Sequence, residues 1–434
     1  MVQSSSQIKY KYLTADRAFG GFKEFSGVSP SLNNDTDGIV SNGKFTALPW
    51  ERQGTVAVLP AYDFRRLDNT IPLIVGHKGA VTDTQFSHHN DNLLGTSSED
   101  GSLRLWLLED EGLTENLRDA DATLNGHTKK VLGFQWHHIV ENTIASYSFD
   151  NTVRIWDVEA QANTMIFDGI TATPTCLRWS PKGDQIGLTC KQSHMVFFDP
   201  RKEGSTMQAK GHDNTKPQKL AWVDDSTFFT TGYSNIRERE YMVWDQRNLS
   251  EAVAKGSINK SNGIGHIYFD QQHHLLYLAG RGDSNVEIFK YNHGAAEPLE
   301  SLFEYKGDNT PQRGFFYMPK QSCDVTKHEV GRAVRLSSKG QIHYLGFRLP
   351  NKFGNFMQEL YPEFPSQTPG AQYSEWAAGE DKPAVMDQLK ESGGATDSGA
   401  SKKNFLNKLK KAPAAEPTPA ATAAPVEDPQ VATL

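Results

Sequence analysis

Apolar and polar residues alternate along much of this chain with the two-residue period of half-buried strands. Gln7-Ile8-Lys9-Tyr10-Lys11-Tyr12-Leu13 is the first such run. Lys44–Leu48 and Thr55–Leu59 read as a pair of strands, as do Ala333–Leu336 and Gln341–Phe347 near the other end. Between these pairs the alternation recurs inside a fixed frame. Gly76-His77 precedes an apolar run, then Ser98-Glu99-Asp100, then Ser102-Leu103-Arg104-Leu105-Trp106. Gly126-His127, Ser148-Phe149-Asp150 and Thr152-Val153-Arg154-Ile155-Trp156-Asp157 repeat that order, each landmark displaced by 50 residues.

Three fainter copies extend the series. Phe198 stands 42 residues after Trp156, Trp244 46 after Phe198, and Phe289 45 after Trp244. With the strand pairs at either end the count is seven, at about 44 residues per unit over 45–349. This spacing matches the WD-repeat pattern, in which each unit is a four-stranded propeller blade. The fold predicted is all-β, a seven-bladed WD-repeat propeller. The domain expected over 1–349 is closed by Gln7–Leu13 pairing with the last blade, which leaves only short, protected sheet edges. An aromatic-rich extension over 350–385, with Phe353, Phe356, Tyr361, Phe364, Tyr373 and Trp376, is expected to pack on the ring. Residues 386–434 are expected to form a flexible low-complexity tail, since Ala412–Leu434 has eight Ala and five Pro in 23 residues.

The repeat residues have a structural chemistry. His77, Asp100 and Trp106, and their counterparts His127, Asp150 and Trp156, can join a Ser or Thr hydroxyl in a buried hydrogen-bonded chain, because a buried indole N–H needs an acceptor. Trp244 belongs to the same set. Phe198 and Phe289 lack the donor, so their blades should rely on apolar packing. The paired histidines at 88–89, 137–138 and 273–274 are expected to be loop residues rather than metal ligands, and Arg281-Gly282-Asp283 an incidental blade turn.

Composition narrows the function classes. No 18-residue apolar run exists and mean hydropathy is −0.57, which predicts no membrane span. The N-terminus has no basic stretch leading into an apolar core, so no secretory signal is expected. Cys176, Cys190 and Cys323 fit neither a disulfide framework nor a zinc motif, which suits a reducing cytoplasm. A net charge of −7 argues against general nucleic-acid binding. No phosphate loop, nucleophile elbow or His-Glu-x-x-His occurs, so no enzyme, cofactor or metal is expected.

Several stretches outside the repeat frame resemble the coronin family. They are Gly232-Tyr233-Ser234-Asn235-Ile236-Arg237-Glu238-Arg239-Glu240, Tyr277-Leu278-Ala279-Gly280-Arg281-Gly282-Asp283-Ser284, Pro311-Gln312-Arg313-Gly314, Tyr317-Met318-Pro319-Lys320, Leu360-Tyr361-Pro362 and Glu375-Trp376. The resemblance runs from about Phe22 to Lys390 in conserved order. It implies a propeller with its extension on the underside, binding to the sides of actin filaments, and a role in filament turnover, motility and endocytosis at the actin cytoskeleton. Actin-branching and actin-severing regulators are further partners the family suggests. Three departures stand out. Ala15-Asp16-Arg17-Ala18-Phe19-Gly20 replaces a more basic family run, Gly27-Val28-Ser29 replaces Arg-Val-Ser, and the C-terminal coiled coil has no counterpart. The last departure predicts a monomer.

Actin is acidic, so candidate contacts are basic. They are Lys9, Lys11 and Arg17 at the N-terminus, and Arg237 and Arg239 in the family-like loop. A third group is Lys402, Lys403, Lys408, Lys410 and Lys411, set around Phe405, Leu406 and Leu409 in the segment 401–411. A scaffold that binds peptides at the propeller's central opening, with weak or no actin affinity, is the rival reading.

Overall fold

Each strand-forming run is broken by a turn that its residues favour. Asp100-Gly101 and Asp150-Asn151 occupy equivalent hairpin turns, with Gly101 at φ 84° and Asn151 at φ 60°, the left-handed region that glycine and asparagine accept. The computed structural model describes residues 10–19, 23–31, 35–68, 70–261, 263–295, 297–350 and 356–391. Their strands form seven antiparallel sheets arranged as a ring. Blades 1 to 6 span residues 40–75, 81–125, 131–167, 174–210, 219–259 and 265–306, each with four strands running in sequence from inside to outside. Blade 7 takes three strands from 312–348 and its outer strand from the N-terminus.

The core lies between blades. Trp106 of blade 2 packs among Phe45, Val58 and Ile74 of blade 1. Trp156 reaches Leu103 and Leu105 of blade 2, and Trp244 reaches Met195 and Phe197 of blade 4. Each repeat aromatic thus fills the preceding interblade seam, and burying such a side chain contributes about 2–3 kcal/mol.

Ring closure differs from the sequence expectation. Tyr10–Tyr12 forms a 3-10 turn, because Tyr10 turns inward and meets His273 edge-on at 6.0 Å. The closing strand is Thr14–Arg17, antiparallel to Gln341–Arg348 with Thr14 opposite Arg348, and Phe25–Ser26 continues the edge opposite Ile342 and Gln341. Residues 1–9, including Lys9, lie outside the described residues.

After blade 7 the chain forms a strap. Tyr361 donates its hydroxyl to the Val325 carbonyl in blade 7 at 3.3 Å. Farther along, the Gln367 carbonyl meets His89 Nδ1 at 3.0 Å and the Glu141 amide donates to Ala371 at 3.1 Å. The short helix Tyr373–Ala377 then delivers Trp376 to blade 4, where its indole donates to the Gly183 carbonyl at 2.9 Å. The return leg pairs Met386–Asp387 with Phe364–Pro365, and Gln388 Nε2 donates to the Tyr361 carbonyl at 2.7 Å. Described order therefore continues to residue 391 rather than ending at 385. Residues 392–434, with the basic segment 401–411, lie outside the described residues.

Candidate interaction surface

The repeat residues form the expected hydrogen-bonded chains. A carboxylate only accepts, so His77 Nδ1 donates to Asp100 Oδ2 at 3.1 Å. His77 Nε2 meets the Thr96 hydroxyl at 2.7 Å, and that oxygen accepts from the Trp106 indole at 2.9 Å. His127, Asp150, Ser146 and Trp156 repeat the geometry at 3.0, 2.8 and 2.8 Å. Blade 5 carries a third copy that the sequence half concealed. Trp244 donates to Thr230 at 2.9 Å, and His212 bridges Thr230 and Glu240 at 3.0 and 2.8 Å. A glutamate six residues into a family-like loop had masked the frame.

The two phenylalanine blades change both halves of the pair. Strand register places Leu188 and Leu278 where Thr96, Ser146 and Thr230 stand in the other blades. Donor and acceptor are lost together, so no orphaned polar group results. Phe198 instead stacks on Phe167 at 3.9 Å.

Antiparallel alternation sorts the connections onto two faces. One face holds the turns within each outer hairpin and the links between blades; the His–Asp pairs join these two sets of turns, as does Asn214 Nδ2 donating to the Ser234 carbonyl at 3.0 Å. The opposite face holds the connections from first to second strand, and every strap contact described above falls there. One face is therefore covered and the other free.

The structure scatters the predicted basic residues between these faces. Lys11 is exposed beside the strap face, its ammonium 5.1 Å from the Tyr12 ring. Arg17 is half-buried between Glu24 at 3.1 Å and Asp308 at 3.7 Å. Arg237 is exposed on the free face at φ 64°, next to Ile236, which is 76% exposed. Arg239 is a correction: it is 1% exposed, and its guanidinium joins blade 5 to blade 6 through Asp283 at 2.8 Å and the Gly263 carbonyl. A long basic side chain in a polar run looks like a surface residue, and only the fold brings Asp283 under it. Lys9, Lys402, Lys403, Lys408, Lys410 and Lys411 lie outside the described residues.

Sequence reasoning missed a pattern on the free face. Every blade turns at least one cation outward there: Arg52, Lys78, Lys129, Lys191, Arg237, Lys260 and Lys339 for blades 1 to 7 in order. Among the described residues no ion pair engages Arg52, Lys78, Lys129, Lys191, Arg237 or Lys339. Lys260 sits 3.4 Å from Glu238, and Lys130, beside Lys129, 3.5 Å from Glu99. Lys129 and Lys130 flank the ring of Phe149, 43% exposed, at 5.6 Å each. Each cation is isolated in its own repeat, so no cluster shows in the sequence.

The centre of the ring is filled by the chain itself. Lys219 of blade 5 donates to the Asp35 carbonyl, Thr36 donates to the Thr82 carbonyl of blade 2 at 3.0 Å, and His266 of blade 6 meets Asp37 at 3.1 Å. Burial opposes ionisation of Asp37, but the His266 hydrogen bond and the charges of Arg178 and Lys219 prevail and hold its carboxyl down to about 2. Burial, with the Asp37 charge beside it, pushes Asp83 up to about 7. Nothing in the sequence 27–39 had marked it as a plug.

The histidine pairs are likewise more than loop residues. His137 Nδ1 accepts from the Ile139 and Val140 amides at 3.1 and 3.0 Å, and Nε2 donates to Gly183 at 2.9 Å. Gly183 is the carbonyl that Trp376 also uses, so a neutral imidazole seats the strap. Burial, reinforced by His138, holds the His137 pKa well below the ordinary value. In blade 7, burial and the charges of Arg17 and Arg335 push His343 down to about 4. An unfolded chain takes up these protons below about pH 6.5 and the folded chain does not, so stability falls as pH drops through 6.5 toward 4. His343 alone accounts for about 2 kcal/mol by pH 5. Unfolding midpoints should therefore fall between pH 7 and pH 5, and less steeply in His343→Gln. A midpoint unchanged over that range would contradict this assignment.

Comparison with known proteins agrees with the geometry. The WD domain, G-beta repeat model matches residues 69–106 and 120–157. Coronin-2B of Xenopus laevis is 36% identical over 355 residues, covering 81% of this chain and 74% of the relative. Coronin-2B of Mus musculus is 35% identical over 373 residues, 85% and 77% of the two chains. The crystal structure of the WD40 domain from Toxoplasma gondii coronin superposes with a TM-score of 0.82 at 30% identity, covering 88% of this chain and 98% of that one. The chain belongs to the coronin family. As a coronin-family protein it is a non-enzymatic regulator of the actin cytoskeleton. Among the described residues no helix is long and apolar enough to cross a membrane, and no group of His, Cys, Asp and Glu converges as a metal site.

The backbone also constrains one family departure. Gly27, at the position of a coronin arginine, has φ 74°, and a Cβ there would lie 2.5 Å from the Leu67 carbonyl oxygen. Gly27→Arg is expected to cost about 1–3 kcal/mol, read as a lowered urea midpoint at unchanged slope. An unchanged midpoint would show that the loop relaxes freely.

Proposed function

We propose that the protein binds the sides of actin filaments through its free face, and that this contact serves filament turnover, motility and endocytosis in the cytoplasm at the actin-rich cortex. The observation that carries the reading is the ring of outward cations, one from every blade, on the face the strap leaves open. Phe149 and Ile236 add exposed apolar contacts next to Lys129, Lys130 and Arg237. The propeller is broad enough to span neighbouring actin subunits, which favours filament over monomer. Residues 401–411 supply a second, tethered basic contact, and actin-branching and actin-severing regulators are candidate further partners. With no coiled coil in the sequence, the protein acts as a monomer. Lys11 has no part in the free-face contact, and Arg17 is occupied by its own carboxylate partners.

The peptide-scaffold reading has less support, because Asp35–Gly38 occupies the central opening and the strap crosses its other side. Co-sedimentation of the full chain with filaments tests the proposal. Pelleting should weaken between about 50 and 200 mM salt, as exposed charges are screened. Absence of pelleting at either salt would remove filament binding.

A further inference from the structure

The substitution of phenylalanine for tryptophan in blade 4 leaves a cleft of about 320 Å³ between blades 3 and 4, a volume typical of binding sites. Its apolar lining is Val153, Ile155, Met165, Phe167 and Phe198, with Ile166 at the mouth, 52% exposed. Glu203 stands exposed on the rim, and Asp168, next to Phe167, is exposed as well. The rim cations are already committed: Lys202 lies 2.9 Å from Asp199, and Arg201 bridges Asp199 and Asp381 at 2.9 and 2.6 Å. An apolar ligand flanked by positive charge fits this site.

The chain carries such a segment. In Lys402-Lys403-Asn404-Phe405-Leu406-Asn407-Lys408-Leu409 three apolar residues are set among lysines. Its reach is sufficient. The strap crosses from Tyr361 on blade 7 to Trp376 on blade 4 in 15 residues, and Leu389, packed in the Tyr361 cluster, is 16 residues before Phe405. Trp376 adjoins the cleft directly, since Arg201 lines the cleft and lies 5.1 Å over the Trp376 ring.

We propose that the cleft between blades 3 and 4 is a docking site for the protein's own segment 401–411, with Phe405 and Leu406 as its anchors. The docked segment cannot meet a filament at the same time, so the cleft withholds the tethered basic contact until a stronger acidic surface competes for it. Burial of two anchors in a site linked to the same chain needs little intrinsic affinity, because the linker keeps their effective concentration high.

The test uses the full-length protein without actin, so its failure would leave the filament reading standing. All three native cysteines are buried, which makes Ile166→Cys a selective reporter of the cleft mouth. Labelling of that thiol should be at least fivefold slower with the natural tail than with Phe405→Asp/Leu406→Asp on the same background. Glu203→Lys should recover part of the fast rate. Equal rates with either tail would overturn the proposal. A difference that grows with protein concentration would also overturn it, because docking would then be between copies.

Discussion

Trp376→Ala is expected to release the strap at a cost of about 3–5 kcal/mol. The side chain is 2% exposed, and it is held from three directions. Its indole donates to Gly183 at 2.9 Å, Arg201 covers one face at 5.1 Å, and Trp179 and His137 meet it edge-on at 5.7 and 5.5 Å. Truncation removes the apolar contact and leaves a guanidinium stacked on nothing. The strap is terminal to the ring, so the loss should appear first as local opening rather than global unfolding. Amide exchange across 358–391 should accelerate by roughly two to four powers of ten, since each 1.4 kcal/mol is tenfold. Trp376→Phe keeps most of the volume and loses one hydrogen bond, so it should cost only about 1 kcal/mol. Equal exchange in the alanine variant and the parent would mean that the strap is held elsewhere.

Reversing Lys78, Lys129, Lys191 and Arg237 to glutamate should weaken filament co-sedimentation at least tenfold. Each side chain is exposed and unpaired among the described residues, so its reversal disturbs no internal contact. Rim charges act mainly on encounter and salt dependence. Four reversals change the field of one face by eight charges, and even about 0.4 kcal/mol per site sums to more than the 1.4 kcal/mol that a tenfold change requires. The urea midpoint should stay within about 0.5 kcal/mol of the parent, as for other surface changes. Pelleting equal to the parent would place the filament contact off this face. A parallel Lys11→Glu chain, altered on the strap side, should pellet normally and control for net charge.

The ring was legible because its chemistry repeats. His77 and His127, Asp100 and Asp150, and Trp106 and Trp156 fix two blades by displacement alone, and Phe198, Trp244 and Phe289 carry the register onward. The rest depends on long-range geometry. Tyr10-Lys11-Tyr12 alternates like a strand, yet it turns because Tyr10 finds a buried place against His273. Arg239 resembles a surface charge until Asp283, 44 residues later, closes on it. The plug at 35–38 has loop composition and nothing more. The seven free-face cations form a set only once each turn has been assigned a side. Periodicity reports what every blade shares, whereas function rests on what differs between blades or joins distant ones.

The last blade is made from both ends of the chain, and this governs how the protein can be born. Thr14 meets Arg348 across 334 residues. At ribosomal rates of roughly 5–20 residues per second, the N-terminal strand waits roughly 20–70 s for its partner to be synthesised. During that interval six blades can form locally while the seam between the first and the seventh stays open, with unpaired backbone at its edge. The nascent chain is thus exposed to edge-to-edge association until nearly four-fifths of it has emerged, and a chaperone that shields one strand would serve it better than one that encloses a whole domain.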